Sequence, residues 1–290
     1  MAINPIVQWV GGKRQIIKYL LKYMPKEYNN YYEAFVGGGA LLFEVLPKTA
    51  IINDLNPDLF AVYQCLNNED NYKELIKQLH NHEEKHNEEY FYKIREEDRE
   101  KGFDNIDIIT KASRMIYLNK SSFNSLYRVN KNGYCNMPFG KKKTIKTYDR
   151  KDLLNMFYYF SHNHITILNE DFENAVKNAT KNDFVYFDPP YDVWENQEET
   201  FARYTKEGFE KKDQVRLANL YKQLNNKGCK LMLSNHNTEL IQELYKDFNI
   251  YIVKANRKIN SDGLGRGKVE EVIITNYAIK DKDYKQQSLF

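Results

Sequence analysis

Cysteine is scarce in this chain of 290 residues: Cys65, Cys135 and Cys229 are scattered and odd in number. That argues against a disulfide framework, and their spacing is not that of zinc ligands. No apolar run is long enough to span a bilayer, and no charged-then-apolar leader opens the sequence, so an intracellular, cytoplasmic protein is expected. Internal repeats and low-complexity segments are missing. So is a Walker A loop: Gly12-Lys13 is followed by Arg14 rather than Ser or Thr, and Val7 stands where the first glycine is required. His80, His82 and His86 fall in a stretch dense in Glu and Lys. A solvated helix face, and no metal site, is expected there.

What the chain has is positive charge gathered in one place. Of its 43 basic and 40 acidic residues, 11 and 1 fall between Lys111 and Lys151, leaving 32 and 39 elsewhere. Tyr117, Phe123, Tyr127, Tyr134 and Phe139 are interleaved with those charges. Basic groups suit phosphates and aromatic rings suit bases, so the segment reads as a nucleic-acid surface in preference to a solvated loop region.

Apolar positions Ile16, Ile17, Leu20, Leu21 and Met24 follow a helical spacing that Pro25 ends. Next, Tyr31-Tyr32-Glu33-Ala34-Phe35-Val36, three glycines at 37–39, and apolar Leu41, Leu42, Phe43, Val45 and Leu46 read as strand, glycine turn and helix. A second strand, residues 50–53, ends at Asp54. This is a Rossmann-like opening, in which glycines admit a ligand to the backbone and an acid reaches ribose hydroxyls. Strand signals fade over 57–163, where charged amphipathic helices precede the basic segment. They resume at 165–168, 184–187, 230–234, 249–254 and 271–277. The simplest architecture is an α/β domain with a mostly parallel sheet, built from 1–56 and 164–290, with a mostly helical basic domain, 57–163, inserted.

The strand at 184–187 runs into Asp188-Pro189-Pro190-Tyr191. Two prolines end a ladder, leaving a carboxylate, a carbonyl and an aromatic ring at the carboxyl end, where open α/β sheets bind ligands. Asp188 and the Pro189 carbonyl can accept from an exocyclic amine while Tyr191 stacks on its ring. A proline turn with Asp188 capping the next helix is the plainer alternative.

Several of these motifs together resemble the Dam-type DNA adenine methyltransferases over nearly the whole chain. Trp9-Val10-Gly11-Gly12-Lys13 resembles that family's N-terminal cofactor motif, Phe35-Val36-Gly37-Gly38-Gly39 its glycine motif, and Asn53-Asp54-Leu55-Asn56 the acidic strand end. Tyr117-Leu118-Asn119, the run Phe123-Asn124-Ser125-Leu126-Tyr127-Arg128-Val129-Asn130, and Asn136-Met137-Pro138-Phe139-Gly140 resemble its target-recognition hairpin. Asp188-Pro189-Pro190-Tyr191 resembles its catalytic tetrapeptide, and Leu233-Ser234-Asn235-His236 a later core strand. Family members often have Lys where Gln8 stands and Pro where Ala34 stands; in some, that Lys touches the outer base pair.

The resemblance implies a Rossmann-like methyltransferase sheet binding S-adenosylmethionine at Trp9, Lys13, Phe35, Gly37, Gly39, Asp54, Asp171 and Asp188. It implies catalysis by Asp188, Pro189 and Tyr191 on N6 of an adenine flipped out of double-stranded DNA, within GATC. Phe123, Asn124, Leu126, Arg128 and Pro138 are expected at the target, with Arg128 on a guanine, and Lys141, Lys142 and Lys143 on phosphates. A cognate restriction endonuclease is a partner consistent with it. The competing readings are a cytosine-N4 methyltransferase, which needs the same amine-holding chemistry, and a catalytically silent DNA-binding module. Cytosine-C5 chemistry needs a Pro-Cys nucleophile, and no cysteine here follows a proline. A loop from Trp194 to Thr205 is expected to close over the site.

Overall fold

The computed structural model describes residues 3–9, 11–194, 208–256 and 268–279. Most of the expected closing loop, residues 195–205, lies outside them.

Alternation of side chains across the apolar runs decides the layering. In β4 (Phe184–Phe187) every residue is buried. Phe184 and Tyr186 enter one core with Tyr31, Ala50, Ile52, Met232 and Ile273, while Val185 and Phe187 enter a second with Tyr32, Leu231, Leu233, Val272 and Ile274. A strand buried on both faces belongs at the centre of a covered sheet. β4 sits there, in a seven-stranded sheet ordered β3-β2-β1-β4-β5-β7-β6. β1 (Tyr31–Glu33), β2 (Thr49–Asn53), β3 (His164–Leu168), β4 and β5 (Lys230–His236) run parallel. β7 (Lys268–Thr275) is antiparallel between β5 and β6 (Asn249–Asn256). The strand order reverses between β1 and β4, the topological switch point at which such sheets open a crevice.

β1 is shorter than the apolar run predicts. After Glu33 the chain bends so that Val36 N–H donates to the Asn53 carbonyl at 2.8 Å, and the glycine turn begins. The helix after it, α2 (Leu42–Val45), is cut short by Leu46 in the left-handed region (φ 50°) and by Pro47.

α8 (Phe172–Ala175), α9 (Lys211–Asn226) and α10 (Glu239–Leu244) cover the second core's face. The first is covered by α1 (Ile17–Tyr23), α2 and part of the long β2–β3 connection, which holds α3 (Pro57–Leu66), α4 (Glu69–Glu84), α5 (Glu88–Glu96), α6 (Ile108–Ser121) and α7 (Arg150–Ser161). Asn56 caps α3 from Asp58 and Leu59 N–H, with Pro57 in the first turn. Tyr63 of α3 packs on Phe43 and Phe160, and Tyr159 of α7 donates to the Pro47 carbonyl at 3.0 Å. One apolar core therefore runs from the sheet through α3 and α7 into α6, α5 and α4.

Three sequence expectations are corrected in this region. His82 is not on a solvated face: it is buried, stacked on Tyr117 (4.7 Å), with Nδ1 against Tyr90 Oη at 2.8 Å. Burial pushes its pKa down to about 4. Tyr117, Leu118 and Asn119 lie on α6, buried, and not in the hairpin that follows. Arg114, counted in the basic segment, is turned inward onto Asp98 (3.2 Å) and the Ile94 and Arg95 carbonyls, so its charge is spent inside.

Candidate active site

The carboxyl ends of the central strands meet the β2–β3 connection in a cleft of about 1570 Å³. A pocket for one small ligand is roughly 300–1,000 Å³, so there is room for two side by side. Trp9, Lys13, Phe35, Gly37, Asp54, Asp188, Pro189, Tyr191, Asn124, Leu126 and Arg128 all line it.

Asp188 is the best-anchored group. Its Oδ1 accepts from Lys13 Nζ and Ser234 Oγ, each at 2.8 Å, and Ser234 Oγ is itself 2.8 Å from Tyr186 Oη. No hydrogen bond from a described residue reaches Oδ2 or the Pro189 carbonyl. Burial raises the Asp188 pKa, while Lys13 and Ser234 pull it back down. Asp188 thus caps no helix among the described residues. Lys13 Nζ also donates to the Gly11 carbonyl at 2.7 Å and lies 4.2 Å from the Tyr191 ring centre. The Tyr191 hydroxyl donates to Glu271 (3.1 Å), and its ring meets the His236 edge.

A second polar network fixes the chain after the prolines. Gln214 donates to the Pro190 carbonyl (2.9 Å), and Asn235 donates to Gln214 (3.1 Å) while accepting from Asp192 N–H (2.9 Å). Thr238 holds the Asp192 carboxylate, and His236 Nδ1 lies 2.7 Å from the Asp192 carbonyl. The direction of Asp188 is therefore set by backbone and side chains that cannot relax independently.

On the other side of the switch point, Asp54 takes one N–H on each oxygen, from Gly37 and from Asn56, both at 2.9 Å. Burial still pushes its pKa up to about 6. Gly37 needs to be glycine twice over: its φ is +50°, and a Cβ would stand 2.9 Å from the Trp9 ring. Gly39, below the cleft, has φ +73° and no room for a Cβ against Phe43. Trp9 in turn stacks on Tyr127 at 5.3 Å. Phe35 packs among Phe172, Phe187 and Phe209. Asp171 is outside the cleft lining; it caps α8 from Glu173 N–H and accepts from Arg216 at 3.1 Å.

After α6 the chain forms a hairpin closed by bridges Ser122–Phe139 and Val129–Cys135. Phe123, at its mouth, is 57% exposed, and Phe123 N–H donates to the Pro138 carbonyl at 2.9 Å. Asn124 and Ser125 follow in the left-handed region. Arg128 Nη2 makes a long bond (3.4 Å) to the Asn136 carbonyl, and its buried Nε has no partner among the described residues. Pro138 and Lys141, Lys142 and Lys143 are exposed beyond the cleft lining, with the Lys142 ammonium on the Lys120 carbonyl.

Two groups at the site escaped the sequence reading. Glu33, at the end of β1, is buried, hydrogen bonded by Tyr31 Oη at 2.6 Å, and raised by desolvation to a pKa of about 8. Its signal was available, since a carboxyl inside an apolar run is unusual. Ser234 was legible only as part of the Leu233-Ser234-Asn235-His236 core strand, with nothing local to show that it holds Asp188.

Charge divides the cleft. Its floor, at the strand ends, carries Glu33, Asp54, Asp188 and Glu271 around Lys13; elsewhere the lining carries Arg14, Lys120, Arg128 and Lys131 against Asp149 and Asp152. An acidic floor suits a cationic small molecule, and a basic rim suits a polyanion.

Residues 9–259 match the family of D12 class N6 adenine-specific DNA methyltransferases. The chain is 42% identical to the Type II methyltransferase M1.LlaDCHI of Lactococcus lactis subsp. cremoris, over 95% of this chain and 96% of that one. It is 38% identical to the Type II methyltransferase M.MjaIII of Methanocaldococcus jannaschii, over 96% and 100%. A DNA adenine methylase of Vibrio cholerae is 29% identical over 92% and 94%. The chain belongs to the D12 class of N6 adenine-specific DNA methyltransferases, enzymes whose methyl donor is S-adenosylmethionine.

Proposed function

We propose that this methyltransferase acts on an adenine turned out of double-stranded DNA within the sequence GATC, and that residues 57–163 read that sequence. The observation that carries the reading is the state of Asp188: one oxygen is held by two donors, no described residue donates to the other or to the Pro189 carbonyl, and both residues line the cleft.

Those two acceptors suit an exocyclic NH₂. Adenine N6 is a weak nucleophile because its lone pair is delocalised into the ring. Accepting both hydrogens out of the ring plane favours a more pyramidal, more nucleophilic nitrogen, an electrostatic effect that costs no reorganisation during reaction. Lys13 and Ser234 keep Asp188 oriented for this. When bound, S-adenosylmethionine supplies a sulfonium-activated methyl group. Trp9, Phe35, Asp54 and the Gly37 turn would hold it: the acidic floor matches its positive charge, Asp54 would meet ribose hydroxyls, and glycine at 37 lets the turn close against the Trp9 ring. The protein's remaining task is in-line placement of nitrogen, methyl and sulfur.

Turning a base out of the duplex costs a few kcal/mol. Tyr191 offers a stacking face in return, and exposed Phe123 can fill the gap left behind. Arg128 of the hairpin lines the cleft, and its guanidinium would pair with the acceptors of a guanine edge. In this reading α3 and α7 double as the sheet's cover, and the part that meets DNA is the hairpin with Lys141, Lys142 and Lys143 beside it.

The test is direct. The protein is incubated with methyl-labelled S-adenosylmethionine and two duplexes that differ by one GATC site, and the DNA is digested to nucleosides. Label in N6-methyl-2′-deoxyadenosine from the GATC duplex alone is the expected result. Equal label from both duplexes refutes the sequence assignment, and label in N4-methyl-2′-deoxycytidine refutes the target base.

A further inference from the structure

Asn119 is fully buried on α6 and takes no part in the chemistry above. Its amide makes three bonds to two separate backbone segments. Its Oδ1 accepts from Gln8 N–H (2.9 Å), and its Nδ2 donates to the Gln8 carbonyl (2.8 Å) and to the Ser125 carbonyl (3.0 Å). Few side chains can do this. The task needs one acceptor and two donors on one short stem, which Asp, Ser and Thr lack.

The two segments belong to different ligands in the reading given above, on which this inference rests. Gln8 precedes Trp9, whose ring lies against the Gly37 turn on the donor side. Ser125 ends the left-handed pair Asn124-Ser125 (φ 55° and 52°) that follows exposed Phe123 on the DNA side. A backbone in that region is costly for residues other than glycine and persists where its surroundings hold it. Asn119 is such a hold. A second tie runs alongside: Trp9 stacks on Tyr127 of the hairpin, and Tyr127 Oη donates to Asp58 (3.1 Å), four residues beyond Asp54.

We infer that Asn119 is a positioning residue that couples the two ligands, clipping the Gln8-Trp9 segment to the DNA-reading turn so that ordering one orders the other. A ligand that fixes the shared segment lowers the ordering cost met by the second, and the coupling must be equal in both directions.

The experiment measures a ratio: the affinity for a duplex that the wild type methylates, with and without saturating S-adenosylhomocysteine, in wild type and Asn119→Ala. Wild type should show tighter duplex binding with the thioether present, within the roughly 5- to 150-fold range typical of coupled sites. In Asn119→Ala that ratio should fall towards one while the protein still melts cooperatively. Asn119→Ser, which keeps a small donor, replaces it if the alanine variant does not fold. A ratio unchanged in the variant overturns the inference, even if both affinities weaken, because a merely structural residue would act in that way. A wild-type ratio of one overturns it as well. The hairpin reading fails on a different result, unaltered sequence preference in Arg128→Ala.

Discussion

Removing the Ser234 hydroxyl is the sharpest probe of how Asp188 is held. Ser234→Ala deletes one of two donors on Oδ1 and leaves Lys13 in place; it also strips the buried Tyr186 hydroxyl of its partner. A hydrogen bond to a charged group is worth about 1.5–3 kcal/mol. If all of it serves to orient the carboxylate, kcat/KM should fall by roughly 10- to 150-fold. The pH dependence gives the second readout. Burial already raises the Asp188 pKa, and Ser234 is among the groups opposing that rise. Without it the pKa climbs further, so the ionised acceptor disappears at a higher pH and the acid limb of kcat/KM moves up. The assay is transfer of labelled methyl to a duplex at sub-saturating substrate across pH 5 to 9, with Ser234→Thr, which keeps the hydroxyl, as control. A loss of activity with the acid limb unmoved would refute the argument, because it would assign the serine to packing alone.

Asp188→Ala should abolish methyl transfer while duplex binding persists; measurable turnover would remove Asp188 from the chemistry. Arg128→Ala should cost about 1–3 kcal/mol of discrimination at one base pair, and uniformly weaker binding to all sequences would mark a phosphate contact instead. Neutralising Lys141, Lys142 and Lys143 should reduce the slope of log affinity against log salt by about 0.9 for each lysine that meets a phosphate, and an unaltered slope would place them off the DNA. Glu33 is raised from 4.5 to about 8, so the folded protein keeps a proton that the unfolded chain releases. Its stabilising contribution is complete below about pH 4.5 and is lost as pH climbs through 8. Glu33→Gln should therefore gain on wild type in urea unfolding as pH rises across that window, by at most about 1.4 kcal/mol per unit; parallel stability curves would show that Glu33 is already ionised.

Strand positions were legible because short apolar runs separated by helical patterns fit buried strands, and Asp188-Pro189-Pro190-Tyr191 was legible because two prolines must end a strand. Where β1 stops was not. Ala34, Phe35 and Val36 look like strand, and only the pull of Asn53 and the glycine turn bends them away. The helical stretch was harder, since polar residues there hide their use. His82 and Arg114 look solvated in a charged sequence and are buried because Tyr117 and Tyr90, or Asp98 and two carbonyls, satisfy them from distant positions. Ser234 and Asn119 have the same difficulty: each matters through partners 46 and 111 residues away. Pairwise chemistry at that range leaves no local pattern to read.

Three of the carboxyl groups on the floor of the cleft, Glu33, Asp54 and Asp188, have different surroundings that keep them from cancelling one another's use. Like charges held close in a poorly solvated site would push each other towards neutrality. Glu33 is the one that yields: with a pKa of about 8, it stays largely protonated near neutral pH. Asp54, at about 6 and carrying one backbone N–H on each oxygen, is mostly ionised there. Asp188 has the nearest cation, Lys13, and a hydroxyl besides. At neutral pH the floor therefore presents one carboxylate held by Lys13 and Ser234 and another at the glycine turn, with a neutral acid at the end of β1. Its residual charge is negative, and a positively charged donor entering there relieves it. The same addition of charge would lower the pKa of Glu33, so donor binding should release protons between pH 7 and 8. Isothermal titration in buffers of different ionisation enthalpy measures that number, and a heat independent of the buffer would mean that Glu33 does not sense the bound cation.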